Sequence, residues 1–476
     1  MSKPVKNISC AVCSKYINKN CTVALHKFPS NTVMQSLWLK ACGINERDFS
    51  KNTVICSIHF ERDCFKSIAK KILKSDAIPT KFMKRTKILI REPLNIESQL
   101  SINNIKQFIE SSSTPIVFHK MLDDWEPFKW NIQDWENIFE NNPLNCRKGK
   151  ITCSSEPLWE RKCSQEFHKF NDILKTSEKV ESSGSWLYFD YKYIGKQVDD
   201  KNFKSISWRK FGYESLNAKD STLWIGSTGA HTPCHQDLYG INLVAQIYGT
   251  KRWILLPPDM GKYLLPSRVP YEESSCYSKI NFSCPKILTS IDEKCKCISV
   301  VLSPGDVLYV PHKWWHYVEN LSTAISINSW IPISKYDNLS RLNESIVRFL
   351  VSSVCSGVSE NIQSHLLNPN ELFSSNMTAE SMKFIEQSLK TIKNEESSSL
   401  ENMKYIIPSS SDYKFTVLNA NQSIKNLQID TKHHCTNHLP KTIEVNEESD
   451  IKEMILNSFC DENVVSQIAI NLLKKK

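Results

Sequence analysis

Thr232-Pro-Cys-His-Gln-Asp237 and, further along, Tyr309-Val-Pro-His-Lys-Trp-Trp-His316 are the stretches whose reading decides how this chain folds. His235 and Asp237 stand two residues apart, and in a β-strand such positions share a face. His316, arriving on a neighbouring strand, would complete a set of two imidazoles and one carboxylate. That set suits a non-heme Fe(II) with coordination positions left open for a co-substrate and oxygen. A His-x-Asp pair alone is weak evidence, so the surrounding residues must carry the argument.

The chain has 476 residues, long enough for two or three domains, and 40% of them are hydrophobic. No stretch approaches the length of a membrane-spanning helix, and the N-terminus has no apolar signal-peptide core. An intracellular setting is therefore expected, in which the 17 cysteines serve as thiols and metal ligands rather than as a disulfide framework. The net charge of +9 is unevenly spread. Residues 1–90 hold 17 Lys and Arg against 5 Asp and Glu, whereas the remainder is slightly acidic. A localised basic segment is an electrostatic footprint for nucleic acid or another polyanion.

Within that basic segment, Cys10-x2-Cys13 is followed at a distance by Cys56-x2-His59. Two close pairs of soft ligands suit a closed tetrahedral Zn(II) site, and a structural metal supplies folding free energy to a segment with little core. The flanking residues are His26-Lys-Phe-Pro29, Trp38, Cys56-Ser-Ile-His-Phe60, Cys64-Phe-Lys66 and Ala77-Ile-Pro-Thr-Lys-Phe82. With them, residues 8–83 resemble the THAP family of zinc fingers. The resemblance implies a β-α-β fold around one zinc and binding to double-stranded DNA, with a two-stranded ribbon in the major groove. Lys27, Lys66, Lys70, Lys71 and Lys74 are then the candidate DNA contacts, suited to neutralising phosphates. Ser67 stands where some family members carry an arginine. Trp38, Phe60 and Pro79 read as core, and Cys21, Cys42 and Cys64 as thiols without a metal.

Beyond a short basic linker, Ile102–Ser112 reads as a helix and Pro115-Ile-Val-Phe118 as the start of a strand. Leu223–Ile225, Ile241–Ile247, Arg252–Leu256, Ile298–Leu302, Asp306–Val310 and Ala324–Trp330 read as short strands, several bounded by turn signals such as Pro257-Pro258 and Pro304-Gly305. Many short strands at this spacing predict an all-β barrel or jelly-roll.

The stretches Trp224–Asp237, Asn242–Trp253 and Ser303–His316 resemble the JmjC family, jelly-roll oxygenases that use Fe(II) and 2-oxoglutarate. The resemblance implies that His235, Asp237 and His316 hold iron and that Lys251 pairs with the distal carboxylate of 2-oxoglutarate. It also implies that Thr232 donates a hydroxyl to that carboxylate, and that Asn328 reaches the co-substrate or an iron-bound water. Tyr188 and Asn242 are further candidates. His231, off the His-x-Asp motif, is placed outside the ligand set. Trp314 and Trp315 are placed as walls of the pocket, and Cys295-x-Cys297 in a charged loop. Arg268–Ser275 and Ser278–Asn281 look like the insert of a family member that associates with a small heat-shock protein, so such a protein is a candidate partner. The outcome expected is hydroxylation of a protein side chain. The alternatives are histone-type lysine demethylation, RNA-base hydroxylation, or a non-catalytic DNA-binding scaffold that recruits a partner.

Leu339–Val354 has apolar residues at helical spacing, for packing beside the barrel or for a dimer contact. Residues 370–445 are rich in Ser, Asn, Lys and Glu and read as a flexible tail. Ile451–Leu473 returns to an amphipathic pattern, either an isolated helix or a docking element. The expected organisation is multidomain: a zinc-stabilised β-α-β finger (1–83), a basic linker (84–91), an all-β double-stranded β-helix of cupin-like type (92–335), a helical extension (336–369), a flexible polar segment (370–445) and a C-terminal amphipathic helical element (446–476). The expected setting is nuclear, with a cytoplasmic share possible.

Overall fold

The structure, a computed structural model, describes residues 10, 24–42, 49–50, 53–60, 64–67, 72–75, 77–79, 102–151, 154, 156–196, 198–368, 377–395, 414–427 and 447–474. Cys13, Lys70, Lys71 and the linker 84–91 lie outside them. The chain divides into two compact units, Met1–Leu94 and Asn95–Lys476.

In the first unit, strands Leu25–Lys27 and Val54–Cys56 pair antiparallel, with the helix Thr32–Cys42 between them in sequence. This is the expected β-α-β order. Phe65–Ser67 and Ile72–Leu73 form a second small ribbon. Trp38, Ile55, Phe60 and Ala77 are buried together. The Trp38 indole N–H donates to the Ala77 carbonyl at 2.7 Å, which ties the closing segment to the helix. Trp38, Phe60 and Pro79 are all buried, as expected of core residues.

The second unit is built on two antiparallel sheets. The larger contains, side by side, the strands Val307–Val310, Ile241–Tyr248, Ala324–Ile331 and Thr222–Gly226. The smaller contains His231–Asp237, Trp315–Asn320, Lys251–Leu256 and Lys296–Leu302. The chain passes from one sheet to the other and back, which is the double-stranded β-helix predicted. Strand parity explains why these segments read as nearly continuous apolar runs: both faces are covered. Along Ile241–Tyr248, Leu243, Ala245 and Ile247 join the outer core, while Asn242 and Val244 face the cavity between the sheets. Along Ala324–Ile331, Ile325 and Ile327 point outward, and Ser326, Asn328 and Trp330 point inward. The outer core is closed by Ile105, Phe108 and Ile109 of helix Ile102–Ser111, Trp135 of Ile132–Ile138, and Phe170 and Ile173 of Phe170–Glu178.

The insert expected between Arg268 and Asn281 is a hairpin, Pro266–Glu272 with Ser275–Ser278, and its second strand extends the smaller sheet beside His231–Asp237. The helix Ser334–Ser356 buries Leu342, Ile346, Val347, Val351 and Cys355. Leu339, expected on the packed face, is half exposed. Arg268 of the hairpin makes a bidentate pair with Glu344 of this helix, at 2.7 and 2.8 Å.

Of residues 370–445, where a flexible tail was expected, the described parts are ordered elements. They contain the helix Met377–Glu395, which packs on Ser334–Ser356. They also contain the strand Lys414–Val417, paired with Ile116–His119, and Gln422–Ser423, paired with Lys296-Cys297. Polar composition hid a narrow apolar stripe, in which Met377 is buried and Ile385, Leu389 and Ile392 pack into the core of helix Ser334–Ser356. The two strands have their pairing partners far away in sequence, so no local pattern announces them. At the C-terminus, Glu447–Phe459 and Glu462–Lys474 form a helix pair broken at Asp461, whose carboxylate accepts the Asn463 amide at 2.9 Å. Leu456, Cys460, Val465 and Ala469 bury against the Ser334–Ser356 helix and the hairpin, so the element docks. No described helix is long and apolar enough to cross a membrane.

Leu456 is fully buried at this docking surface. Leu456→Ala is expected to cost about 3 kcal/mol, read as a lowered urea midpoint, with earlier proteolytic cleavage near the C-terminus.

Candidate active site

His235 and His316 are direct cross-strand partners on adjacent strands of the smaller sheet. Their ring centroids are 4.1 Å apart. Asp237, two residues on from His235, brings Oδ1 to 3.6 Å from the His235 Nε2 and Oδ2 to 3.9 Å from the His316 Nε2. One donor atom from each of the three lies within 4.8 Å of the others, a spacing that can hold a metal ion.

The local backbone sets this up. Between Thr232 and His235 the register slips: three steps on this strand oppose two on its partner, from Val318 to His316. Such a bulge re-aims side chains. It lets Thr232, His235 and Asp237 all face the cavity although their numbers differ in parity. His231 is turned to the opposite side, where it is buried against Trp186 and Tyr317. It stands outside the ligand set, as expected.

The histidine tautomers follow from the backbone. The His235 Nδ1 lies 2.9 Å from the Pro233 carbonyl and the His316 Nδ1 lies 3.0 Å from the Trp314 carbonyl. A carbonyl only accepts, so each Nδ1 carries the proton and each Nε2 presents a lone pair to the cluster. Burial, with His316 alongside, pushes His235 down to about 4, which keeps it neutral and available as a ligand. The turn before His316 is tied to this strand through the Gln236 amide, which donates to the Lys313 carbonyl at 2.6 Å.

The same cavity, of about 270 Å³, is lined by Tyr188, Thr232, Asn242, Lys251 and Asn328 as well as by the three candidate ligands. Lys251 is 2% exposed. Its ammonium donates to the Ser326 hydroxyl at 2.6 Å and to the Tyr188 phenol at 3.3 Å, and among the described residues no carboxylate pairs with it. Burial pulls Lys251 down to about 7, against a smaller upward pull from Asp190. A buried cation without a counter-charge is costly, and an anionic ligand in the cavity would relieve it. Thr232 lies within hydrogen-bonding reach of the Tyr188 phenol, at the same end. The expected reach of Asn328 to a co-substrate or bound water is narrowed. Its Oδ1 accepts from the Trp224 indole at 2.7 Å and its Nδ2 donates to Asn242 at 2.9 Å, leaving one amide hydrogen.

The tryptophan walls differ from expectation. Trp315 neighbours His316 in a strand and must point to the other face, where it joins the outer core of the smaller sheet. Trp314 is buried below the cavity, its indole donating to the Ser113 carbonyl at 3.0 Å. The walls are instead Trp224, Trp253 and Trp330. Trp253 stacks on His316 and Tyr277 on His235, at 5.7 and 5.8 Å between centroids. Cys295 and Cys297, expected in a charged loop, are fully buried in the outer core. Ser326 and Trp330 escaped the reading of the sequence, although the parity of Asn328 on its strand would have found both. Arg147 also escaped. It is buried behind the cavity, bonded to Asp190 at 2.7 Å and to the His231 carbonyl at 3.2 Å, and no local pattern marks it.

In the finger, Cys10, Cys56 and His59 are buried, and their donor atoms lie within 4.8 Å of one another. The Cys56 amide donates to the Cys10 sulfur at 3.4 Å, a contact that favours a thiolate. These donors fit zinc, with Cys13 as the fourth ligand expected from the sequence. Cys42 is also buried nearby, and burial pushes its thiol up to about 12, which keeps it protonated. Lys27, Lys66 and Lys74 are exposed on the finger surface.

Family comparisons agree with this architecture. A THAP domain matches residues 9–82 and a cupin-like domain matches residues 103–337. The chain carries an N-terminal THAP domain followed by a cupin-like JmjC domain, homologous to those of 2-oxoglutarate and iron oxygenases and demethylases. Among individual proteins, it is 40% identical over 281 residues to HSPB1-associated protein 1 of Rattus norvegicus, a match covering 56% of this chain and 58% of that protein. It is 28% identical to Lysine-specific demethylase JMJ30 of Arabidopsis thaliana over 49% of this chain and 53% of that protein. With 2-oxoglutarate and iron-dependent oxygenase JMJD4 of Danio rerio the identity is 25%, over 43% of this chain and 42% of that protein. The chain thus spans less than two thirds of the length of these relatives.

Lys251 gives a test that needs no turnover. In the unfolded chain it keeps its proton up to about 10.5, and in the cavity only up to about 7. Above pH 7 the unfolded state therefore binds more protons, so this residue makes stability rise with pH between those values. Lys251→Met should raise stability at pH 7 by roughly 1–3 kcal/mol, flatten the rise seen by urea denaturation at pH 7 and pH 9, and abolish 2-oxoglutarate binding by calorimetry.

Proposed function

We propose that the chain is a DNA-targeted Fe(II)- and 2-oxoglutarate-dependent oxygenase that hydroxylates a protein side chain. The observation that carries this reading is the convergence, in one cavity, of the two histidines and the aspartate with a buried lysine that no carboxylate pairs with among the described residues. His235, Asp237 and His316 would hold the metal on one side and leave the other side facing the cavity. Lys251, supported by Ser326, would take the distal carboxylate of the co-substrate, with Thr232 and Tyr188 contributing hydroxyls. Asn242 and Asn328, locked to each other, would shape the floor. When bound, iron and 2-oxoglutarate supply an oxidant able to insert oxygen into a C–H bond. The chain's own part is to orient both, and to keep the cavity dry with Trp224, Trp253 and Trp330.

The finger would deliver this activity to DNA. Zinc held by Cys10, Cys13, Cys56 and His59 would stabilise the fold, and Lys27, Lys66, Lys70, Lys71 and Lys74 would meet phosphates. A nuclear location follows from that reading. The name of the rodent relative records association with HSPB1, and a small heat-shock protein is the partner proposed for this chain, as binder or as substrate.

Iron-loaded protein is expected to convert 2-oxoglutarate to succinate, measured by mass spectrometry, and His235→Ala to reduce that by at least about 100-fold. Equal succinate from the variant, or none from well-loaded wild type, would sink the enzyme reading. Cys56→Ala is expected to abolish retention on DNA while leaving succinate formation unchanged.

A further inference from the structure

Asp237 is the one anionic member of the candidate ligand set, and something must hold its carboxylate in position. Along Ala324–Ile331, Ser326, Asn328 and Trp330 face inward at successive i, i+2 positions. Ser326 serves Lys251 at one end of the cavity. At the other end, the Trp330 indole Nε1 donates to Asp237 Oδ2 at 3.0 Å. Among the described residues this is the one side-chain hydrogen bond the carboxylate receives. Trp330 is itself held: its ring packs edge-on to Trp224 at 6.2 Å, and Trp224 is anchored by its bond to Asn328.

We propose that Trp330 is a positioning residue for the metal ligand Asp237. Its N–H holds Oδ2 and leaves Oδ1 directed at the metal side, next to the His235 Nε2. Without that donor the carboxylate is free to rotate or to offer both oxygens to the ion, closing a coordination position that the co-substrate needs. The inference rests on the metal reading of the site above. Trp330 also lines the cavity, so the same ring shapes the space beside the ligand it holds. Outer partners of metal ligands typically contribute 10–100-fold in affinity.

The test is a Mn(II) titration of the full-length, zinc-loaded chain by electron paramagnetic resonance. Mn(II) prefers oxygen and nitrogen donors and does not compete for thiolate sites. Trp330→Phe keeps a ring and removes the N–H. It is expected to weaken Mn(II) binding about ten-fold, to alter the Mn(II) line shape, and to leave the metal-free melting temperature near wild type. Trp330→Leu also removes the N–H, is expected to lose the same Mn(II) affinity, and is read in its place if the phenylalanine variant fails to fold. Mn(II) binding by Trp330→Phe within two-fold of wild type, with an unchanged spectrum, overturns the inference while leaving the metal site standing. Wild-type protein that binds no Mn(II) beyond a His235→Ala control overturns the metal reading, and this inference with it.

Discussion

The barrel's candidate chemistry depends on one backbone irregularity, the bulge between Thr232 and His235. A regular strand alternates its side chains between faces, so Thr232 and His235 would otherwise point in opposite directions. One extra residue on this strand restores them to the same side. The cross-strand partnership of His235 with His316 then fixes the imidazole pair, and Asp237 follows by ordinary alternation. The same slip sends His231 outward, where burial beside Arg147 pushes it down to about 4 and keeps it neutral. Neighbouring histidines thus have different surroundings because of a single step in register.

The second constraint is electrostatic. The cavity holds a lysine that burial has stripped of water and that, among the described residues, meets two hydroxyls and the faces of Tyr188 and Trp224 but no paired carboxylate. A protein of ordinary stability tolerates such a group where a bound ligand compensates it, because net stability is only a few kcal/mol. Behind the cavity, Arg147 with Asp190 and Glu160 forms a compensated buried cluster. The contrast makes the isolation of Lys251 informative: charge is neutralised where it is structural and left open where an anion can enter.

The elements around the barrel bear on the same strands. The hairpin Pro266–Ser278 adds a strand beside His235 and places Tyr277 against its ring. That hairpin is in turn clamped to helix Ser334–Ser356 by the Arg268–Glu344 pair and covered by the C-terminal helices. Lys313, in the turn that leads to His316, reaches Glu462 of the last helix at 2.5 Å. The C-terminal third is therefore part of the support for the strands that carry the ligands.

Residue chemistry and short-range pattern were enough to indicate most barrel strands, the paired Cys and His ligands of the finger and the His235, Asp237 and His316 set, while the family resemblances supplied the two domains and the roles of Lys251 and Thr232. The strands and ligand sets depend on residue type and on spacing within a strand or turn, which sequence carries directly. Tertiary structure decided that Thr232 and His235 face the same side across the register slip, and it decided which tryptophans wall the cavity, turning Trp315 away and bringing in Trp224, Trp253 and Trp330. It also decided the fate of residues 414–417 and 422–423, whose partners at 116–119 and 296–297 lie more than a hundred residues away. Ser326, Trp330 and Arg147 gain their meaning from neighbours on other strands. A linear pattern does not encode such contacts, because they exist only once the two sheets have closed on each other.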